Sequence, residues 1–199
     1  DRAAAFEFGA RMVAINSDTP ALSSLTAAKI ATLSAADIAN APPSEFARLT
    51  KAQVAAISTT AIASLSPEQF AKFGQNQMTG LTAVQLPRLS NTISFSPTQL
   101  TQLNQAQVQA LSTTQMAALS TETLDAMATT QLSVLSSTSF SALSQAQVQS
   151  LTPAQVRALS ASQFRALPTS DLAEFTPEQI SSLSTSQVSA LSETQFQAL

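Results

Sequence analysis

Apolar residues recur along this chain with a period of eight. In LSTTQMAAL (Leu111–Leu119), LSQAQVQSL (Leu143–Leu151), LTPAQVRAL (Leu151–Leu159) and LSASQFRAL (Leu159–Leu167) the unit reads Leu, Ser/Thr, two variable residues, Gln, an apolar residue, a variable residue and often Ala. The register holds from Ser17 to Arg88 as nine octads and from Phe95 to Ala198 as thirteen. A six-residue unit, Leu89–Ser94, separates the two runs, and residues 1–16 precede them. The sixth position is apolar in all 22 octads and the first in 21; the second is Ser, Thr, Asp or Asn in 18, and the fifth is Gln in 14. A repeat of this kind says that one structural unit is being reused, so the unit is the first thing to explain.

A strand does not explain it. Positions one and six differ in parity and would point to opposite faces, and Ala and Gln are poor strand residues. One continuous α-helix fails as well. Eight residues at about 100° each carry the apolar pair roughly 80° further round the helix per octad, so no apolar stripe survives. A succession of very short helices fits every position. Ser/Thr at position two is an N-cap and Gln at position five is then N3, which is the capping box; positions one and six become N′ and N4, the two ends of a hydrophobic staple. Position three becomes N1, where proline sacrifices no hydrogen bond, and Pro43, Pro67, Pro97, Pro153 and Pro177 all stand there. The Gln column has a second reading, an amide ladder between octads. Capping is the simpler one, because Ser/Thr stands three residues earlier almost throughout.

The expected fold is therefore all-α: a solenoid or superhelix of capped helices of about six residues, each roughly 9 Å long, one per octad. Helices so short do not persist alone. They must bury their Leu, their sixth-position residue and their Ala against neighbouring octads, as solenoids do. Residues 1–16 read as a lead-in helix or cap, 17–88 as nine octads, 89–94 as an irregular unit, and 95–199 as thirteen octads plus the first residue of another. Because Leu89–Ser94 is two residues short, a kink or change of superhelical phase is expected between Arg88 and Phe95. Ser112→Ala should cost about 1 kcal/mol, and Gln115→Ala less, since half of the box remains.

Composition narrows the chemistry. Ala, Ser, Leu, Thr and Gln fill two thirds of the chain, 11% of residues are charged, the net charge is −3, and there is no Cys, His, Trp or Tyr. Thiolate and imidazole metal ligands, a Cys nucleophile, a His base and disulfides are thereby excluded. Nine basic residues against twelve acidic ones argue against a nucleic-acid partner. No apolar run reaches the length of a membrane span. Asp1–Asn16 lacks the basic-then-apolar pattern of a signal peptide. The chain reads as a mature protein or a piece of something longer, and the absence of cysteine fits export to an oxidising compartment.

The remaining candidates for chemistry are few, and none points to catalysis, a cofactor or a metal. Glu122/Asp125 and Asp171/Glu174 are spaced three apart but read as solvated surface rather than acid–base pairs. Thr26-Ala27-Ala28-Lys29 resembles a hydroxyl–lysine nucleophile motif, yet in the repeat register Thr26 is an N-cap and Lys29 stands at N3. Gly74 and Gly80 make no phosphate loop, since Leu81-Thr82 follows; they read as positions where a neighbour comes close. Phe46, Phe70, Phe140, Phe164 and Phe196 at position six, and Phe73, Phe95 and Phe175 at position one, read as core. Arg157 and Arg165 occupy the same repeat position one octad apart and could form a small basic ladder for an acidic glycan or a partner carboxylate.

The unit Leu-Ser/Thr-x-x-Gln-Val-x-Ala-Leu resembles the octapeptide repeats of long, Ser/Thr/Gln-rich bacterial surface and secreted proteins. LSPEQF (Leu65–Phe70), FTPEQI (Phe175–Ile180) and LTPAQV (Leu151–Val156) are also distantly similar to turns of the superhelical mesothelin and stereocilin proteins. The resemblance implies an extracellular or cell-surface scaffold or adhesion role and transfers no catalytic residue. The function expected from sequence is structural and non-enzymatic: a rod, filament or stalk that associates with itself. The alternative is a binding module for a protein, a glycan or ice, reading its target through positions three, four and seven. A solenoid leaves a rung uncovered at each end, so Phe6, Phe8 and Met12 at one end and Leu191, Phe196 and Leu199 at the other are the candidate assembly surface.

Overall fold

The computed structural model describes residues 21–199; the lead-in segment 1–16, with Phe6, Phe8 and Met12, lies outside them. The described residues hold twenty α-helices of four to six residues, two 3-10 turns, Leu22–Ser24 and Leu86–Arg88, and no strand. From Leu25 onward each octad contributes one of these elements, in the register read from sequence. The helices are somewhat shorter than the expected six residues.

Most helices start at a side-chain cap; those that follow Pro42, Gly74, Ala128 and Pro168 have none. In the octad Leu111–Ala118 the extended Ser112 accepts a hydrogen bond at Oγ from the Gln115 backbone N–H (3.1 Å), and Gln115 Oε1 accepts one from the Ser112 N–H (2.9 Å). The box satisfies two of the donors that a helix start otherwise leaves unpaired. Pro43, Pro67, Pro97, Pro153 and Pro177 each occupy the first turn of their helices. Each helix stops because the next cap is already extended. The first-position N–H folds back on the sixth-position carbonyl, as Leu119 does on Met116 at 3.2 Å, a tightened last turn that uses an otherwise orphaned acceptor.

Helices pack on the helix three octads along the chain. Lys51–Ala56 lies on Gln75–Gly80, Ala35–Asn40 on Thr59–Ile62, Thr129–Ser133 on Pro153–Ala158, and Thr169–Leu172 on Glu193–Phe196. The first- and sixth-position side chains form one continuous apolar cluster. From Ile30 to Leu172 every sixth-position residue is at most 1% exposed, and each such Leu, Ile, Val or Phe contributes roughly 1.5–3 kcal/mol. Aromatic pairs punctuate the core: Phe70 meets Phe73 and Phe95 at 5.2 Å, the second edge-on, and Phe164 meets Phe175 at 5.9 Å. Of the two glycines among the described residues, Gly80 is the one that admits a neighbour. A Cβ there would stand 2.9 Å from Cα and O of Lys51, whereas at Gly74 it would meet only its own Gln77 side chain at 3.4 Å.

The short unit keeps its cap and its apolar pair. Ser90 O accepts from Ile93 N (3.0 Å), Ser90 Oγ accepts from Thr92 N (3.3 Å), and Leu89 and Ile93 are buried. A single turn thus replaces the helix. The strong helix pairs lie on either side of this unit, and Phe70–Phe95 carries the core across it.

Candidate functional site

The most ordered polar feature of the molecule is the fifth position. All fourteen of its glutamines are buried, between 1% and 7% exposed. Burying a primary amide is costly unless both of its ends are bonded, and here both are. Gln163 Oε1 accepts from the Ser160 N–H at 2.8 Å, and its Nε2 donates to the carbonyls of Leu132 (2.7 Å) and Leu135 (2.9 Å), 31 and 28 residues earlier. Gln69 repeats the pattern on Ile38 and Ala41, Gln147 on Met116 and Leu119, and Gln187 on Val156 and Leu159. Capping and laddering, which the sequence presents as alternatives, are two ends of one side chain.

This geometry also shows what the six-residue unit does. Gln99 and Gln107, whose partners lie on its far side, reach carbonyls 29 and 26 residues back: Phe70 and Phe73, then Met78 and Leu81. The offsets shrink by the two missing residues while the repeat positions of the acceptors stay the same. Leu89–Ser94 therefore counts as one whole unit. The amide pairing passes through it in phase, against the expected phase change, because the cap and apolar pair that set the unit's ends are retained.

Octads without Gln show what is lost. Where Ala61 stands at position five, Ser64 Oγ reaches the Ala35 carbonyl instead (2.8 Å). Thr123 Oγ1 reaches Phe95 O at 3.2 Å. Ser139 bonds only within its own cap, to Ser136. The two octads with proline at position two, Pro42 and Pro168, carry carboxylates, Glu45 and Asp171. Proline has no N–H for a fifth-position oxygen to accept. Glu45 turns instead to the N–H and hydroxyl of Ser23, at 3.4 and 3.3 Å. Asp171, 6% exposed, accepts from the Ser170 hydroxyl at 3.2 Å.

The residues singled out from sequence fall as follows. Thr26 is an N-cap whose Oγ1 accepts from Lys29 N (3.2 Å), and Lys29 is exposed. Glu122 and Asp125 are exposed and edge an open depression of about 340 Å³ with Thr121 and Ser150. Glu174 accepts from Gln149 Nε2 at 3.2 Å. Arg157 and Arg165 are exposed on consecutive octads, so they sit side by side rather than on helices that pack together; Arg165 Nε donates to the Ala190 carbonyl at 3.0 Å. At Glu68 the backbone N–H and the Ser66 hydroxyl hold the carboxyl below its ordinary range. No cluster of three or more potential metal ligands occurs among the described residues.

Of the candidate assembly residues within the described chain, Phe196 is 62% exposed, and Leu191 and Leu199 are half-buried. Sequence reasoning missed Val188, 38% exposed, and the half-buried Ile180 and Leu183, which share their surroundings. The missing signal was the distance along the chain at which one octad covers another. A second depression, of about 210 Å³, lies beside the short unit and is lined by Phe73, Gly74, Ser94, Ser96, Gln99 and Gln102, among others. Gln102 Oε1 is buried without a donor.

Comparison with known proteins adds one finding. The family model for the ALTTAQ repeat matches residues 166–199. The sequence LPTSDLAEFTPEQISSLSTSQVSALSETQFQAL (Leu167–Leu199) within that stretch holds four of the octads described above, so the chain is a repeat protein. No curated protein and no solved structure matches it.

Proposed function

We propose that this chain is a structural repeat protein: a solenoid of short capped helices serving as a rod, stalk or filament element of a bacterial surface or secreted protein, with no catalytic step of its own. The observation that carries this reading is the constant offset of the glutamine bonds. From Gln53 to Gln195 the side-chain amide meets a carbonyl 28 residues back, or 26 across the short unit, in nearly every glutamine octad. A constant offset is what a chain wound on itself produces, with each turn lying on the one before. Such an array is stabilised between neighbouring turns and lengthens by addition.

The low charge, the absence of cysteine and the generic Ser/Thr/Gln character of the exposed third, fourth and seventh positions support a scaffold rather than an enzyme. The resemblance to octapeptide repeats of bacterial surface proteins, and more distantly to mesothelin and stereocilin, supports an extracellular or cell-surface location. Small-angle scattering and electron microscopy of the purified chain test the reading. An elongated particle is expected, shortened in proportion when three octads are removed. A compact globular particle would overturn it.

A second reading, a module that binds a protein or glycan, is favoured by the polar depression beside Gly74 and Gln102. Saturable micromolar binding to one target on a glycan array or in a pull-down would promote it over the scaffold.

A further inference from the structure

Three departures from the repeat meet at one place in the middle of the array. Gly74 is the only glycine at position two of an octad, where a capping Ser or Thr usually stands, and Gln102 is the only glutamine at position eight. Between them in the chain lies the six-residue unit, which ends at Ser94. Gly74, Ser94 and Gln102, with Ala71, Phe73 and Thr98, line the open depression of about 210 Å³. The regular array shows what has changed there. Gln99 and Gln163 bond to the same repeat position, at Phe73 O and Leu135 O, so Gly74 corresponds to Ser136 and Gln102 to Ala166. A capping side chain is missing from one wall, and a long amide replaces a methyl on the other. The depression does not owe its openness to a chain end, since turns lie on both sides of it. Gln77 ties its octad to Ala47 and Leu49 before it, and Gln131 ties the octads after it to Leu100 and Leu103.

The chemistry of the depression is uncharged, for no ionisable side chain lines it. Ser96 Oγ already accepts from the Gln99 N–H at 3.2 Å, which leaves the hydroxyls of Ser94 and Thr98, each able to donate or accept. Half-buried Gln102 holds its amide oxygen out of solvent without a donor, a costly state that a ligand hydroxyl relieves. The last torsion of a glutamine side chain is broad, so the amide can turn toward the depression it lines. Ala71 and Phe73 supply apolar lining. The volume is below the roughly 300–1,000 Å³ of sites for drug-sized molecules and suits a single ring. Local departures from a stabilising consensus are expected where a sequence serves binding. We propose that this depression binds one neutral sugar residue of a glycan, a hexose or N-acetylhexosamine. Its hydroxyls donate to Gln102 Oε1 and exchange hydrogen bonds with Ser94 and Thr98, and its C–H face lies against Ala71 and Phe73. The proposal goes beyond the scaffold reading and rests on the second one, to which it gives a site and a ligand class.

The test is saturation-transfer difference NMR on the full chain with the methyl glycosides of glucose, galactose, mannose and N-acetylglucosamine. Saturable binding of at least one is expected. Gly74→Ser restores the usual cap on backbone that is already extended, where a Cβ meets only the Gln77 side chain at 3.4 Å. That variant should bind at least about tenfold more weakly, while its thermal midpoint holds or rises. Gln102→Ala should weaken binding to a similar degree with its circular dichroism unchanged. Absence of saturable binding by all four glycosides, or unchanged affinity in either variant, would overturn the proposal. Binding on a glycan array that both variants leave intact would overturn this site while the second reading stands. The scattering profile of the chain alone reports on the scaffold reading independently of all these outcomes.

Discussion

The octads from Leu25 to Arg48 and those from Leu49 onward carry apolar residues at the same two positions, yet they differ at the fifth position. Lys29, Asp37 and Glu45 stand there in the first group, and Gln in most of the second. Capping does not account for the difference. Asp37 closes a full capping box with Ser34, accepting from its N–H at 2.8 Å. What the carboxylates of Asp37 and Glu45 cannot do is donate, and what the ammonium of Lys29 cannot do is accept; only the amide does both. The residues 28 to 31 positions before Lys29, Asp37 and Glu45 fall at or before Ser17, where the octad register starts, and from Gln53 onward they fall inside it. Glutamine is therefore selected for its nitrogen. The oxygen's task is one that several side chains perform.

The sharpest way to break this account is to remove the nitrogen and keep the oxygen. Gln163→Glu preserves the acceptor for Ser160 N–H but turns a carboxylate toward the carbonyls of Leu132 and Leu135 at a site 1% exposed. An unpaired buried charge there should cost about 3 kcal/mol or more, read as a fall in the denaturation midpoint. Burial and the facing carbonyls both disfavour the charged form, so the folded variant holds a proton that the unfolded chain releases more readily. The loss should then shrink as pH falls, because the neutral acid can donate to a carbonyl. A variant as stable as the parent at neutral pH would show that the amide nitrogen contributes nothing.

A second comparison sets the two halves of one box against each other. Ser112→Ala removes an N-cap acceptor and should cost about 1 kcal/mol. Gln115→Ala leaves the Ser112 N–H unpaired and also strips the buried Leu86 carbonyl of a 2.7 Å bond, and should cost about 2 kcal/mol. This order is the reverse of the one that capping alone predicts. Chemical denaturation of the two variants side by side decides between them. The smallest effect is a gain. Asp171→Gln restores a donor toward the preceding octads while Pro168 still withholds the N–H, so a rise of about 0.5–1 kcal/mol is expected, measured as an upward shift in the thermal midpoint.

Much of the fold was legible because it is local. Caps, staple, N1 prolines and core positions all follow from contacts within eight residues, so Ser112, Pro153 and Leu119 take their places from sequence alone. The packing of each helix on the third one along was not legible, since every octad is equally complementary to every other and only the bend at each junction selects the neighbour. For the same reason Gln163 reads as a cap: its second set of partners, Leu132 and Leu135, contributes backbone atoms, which leave no mark on the sequence. The six-residue unit misled because counting residues is not counting units. Ser90 and Ile93 preserve the two anchors that define one. The uncovered face at Val188 and Phe196 was only partly found, because exposure there depends on a distance along the chain that the repeat itself does not state.

The fixed reach of the glutamine amide also bears on how such a chain comes to be folded at all. Every long-range hydrogen bond in the ladder closes a loop of 26 to 31 residues, whichever octad makes it. The entropy lost in closing a loop depends on its length alone, so no octad is harder to place than the one before it. As an array of this kind lengthens, its mean contact separation stays fixed and its relative contact order falls. A chain leaving the ribosome would find the partner of each new glutamine already synthesised and already folded. Synthesis and folding can then advance together at the same pace, from the first octads to the last.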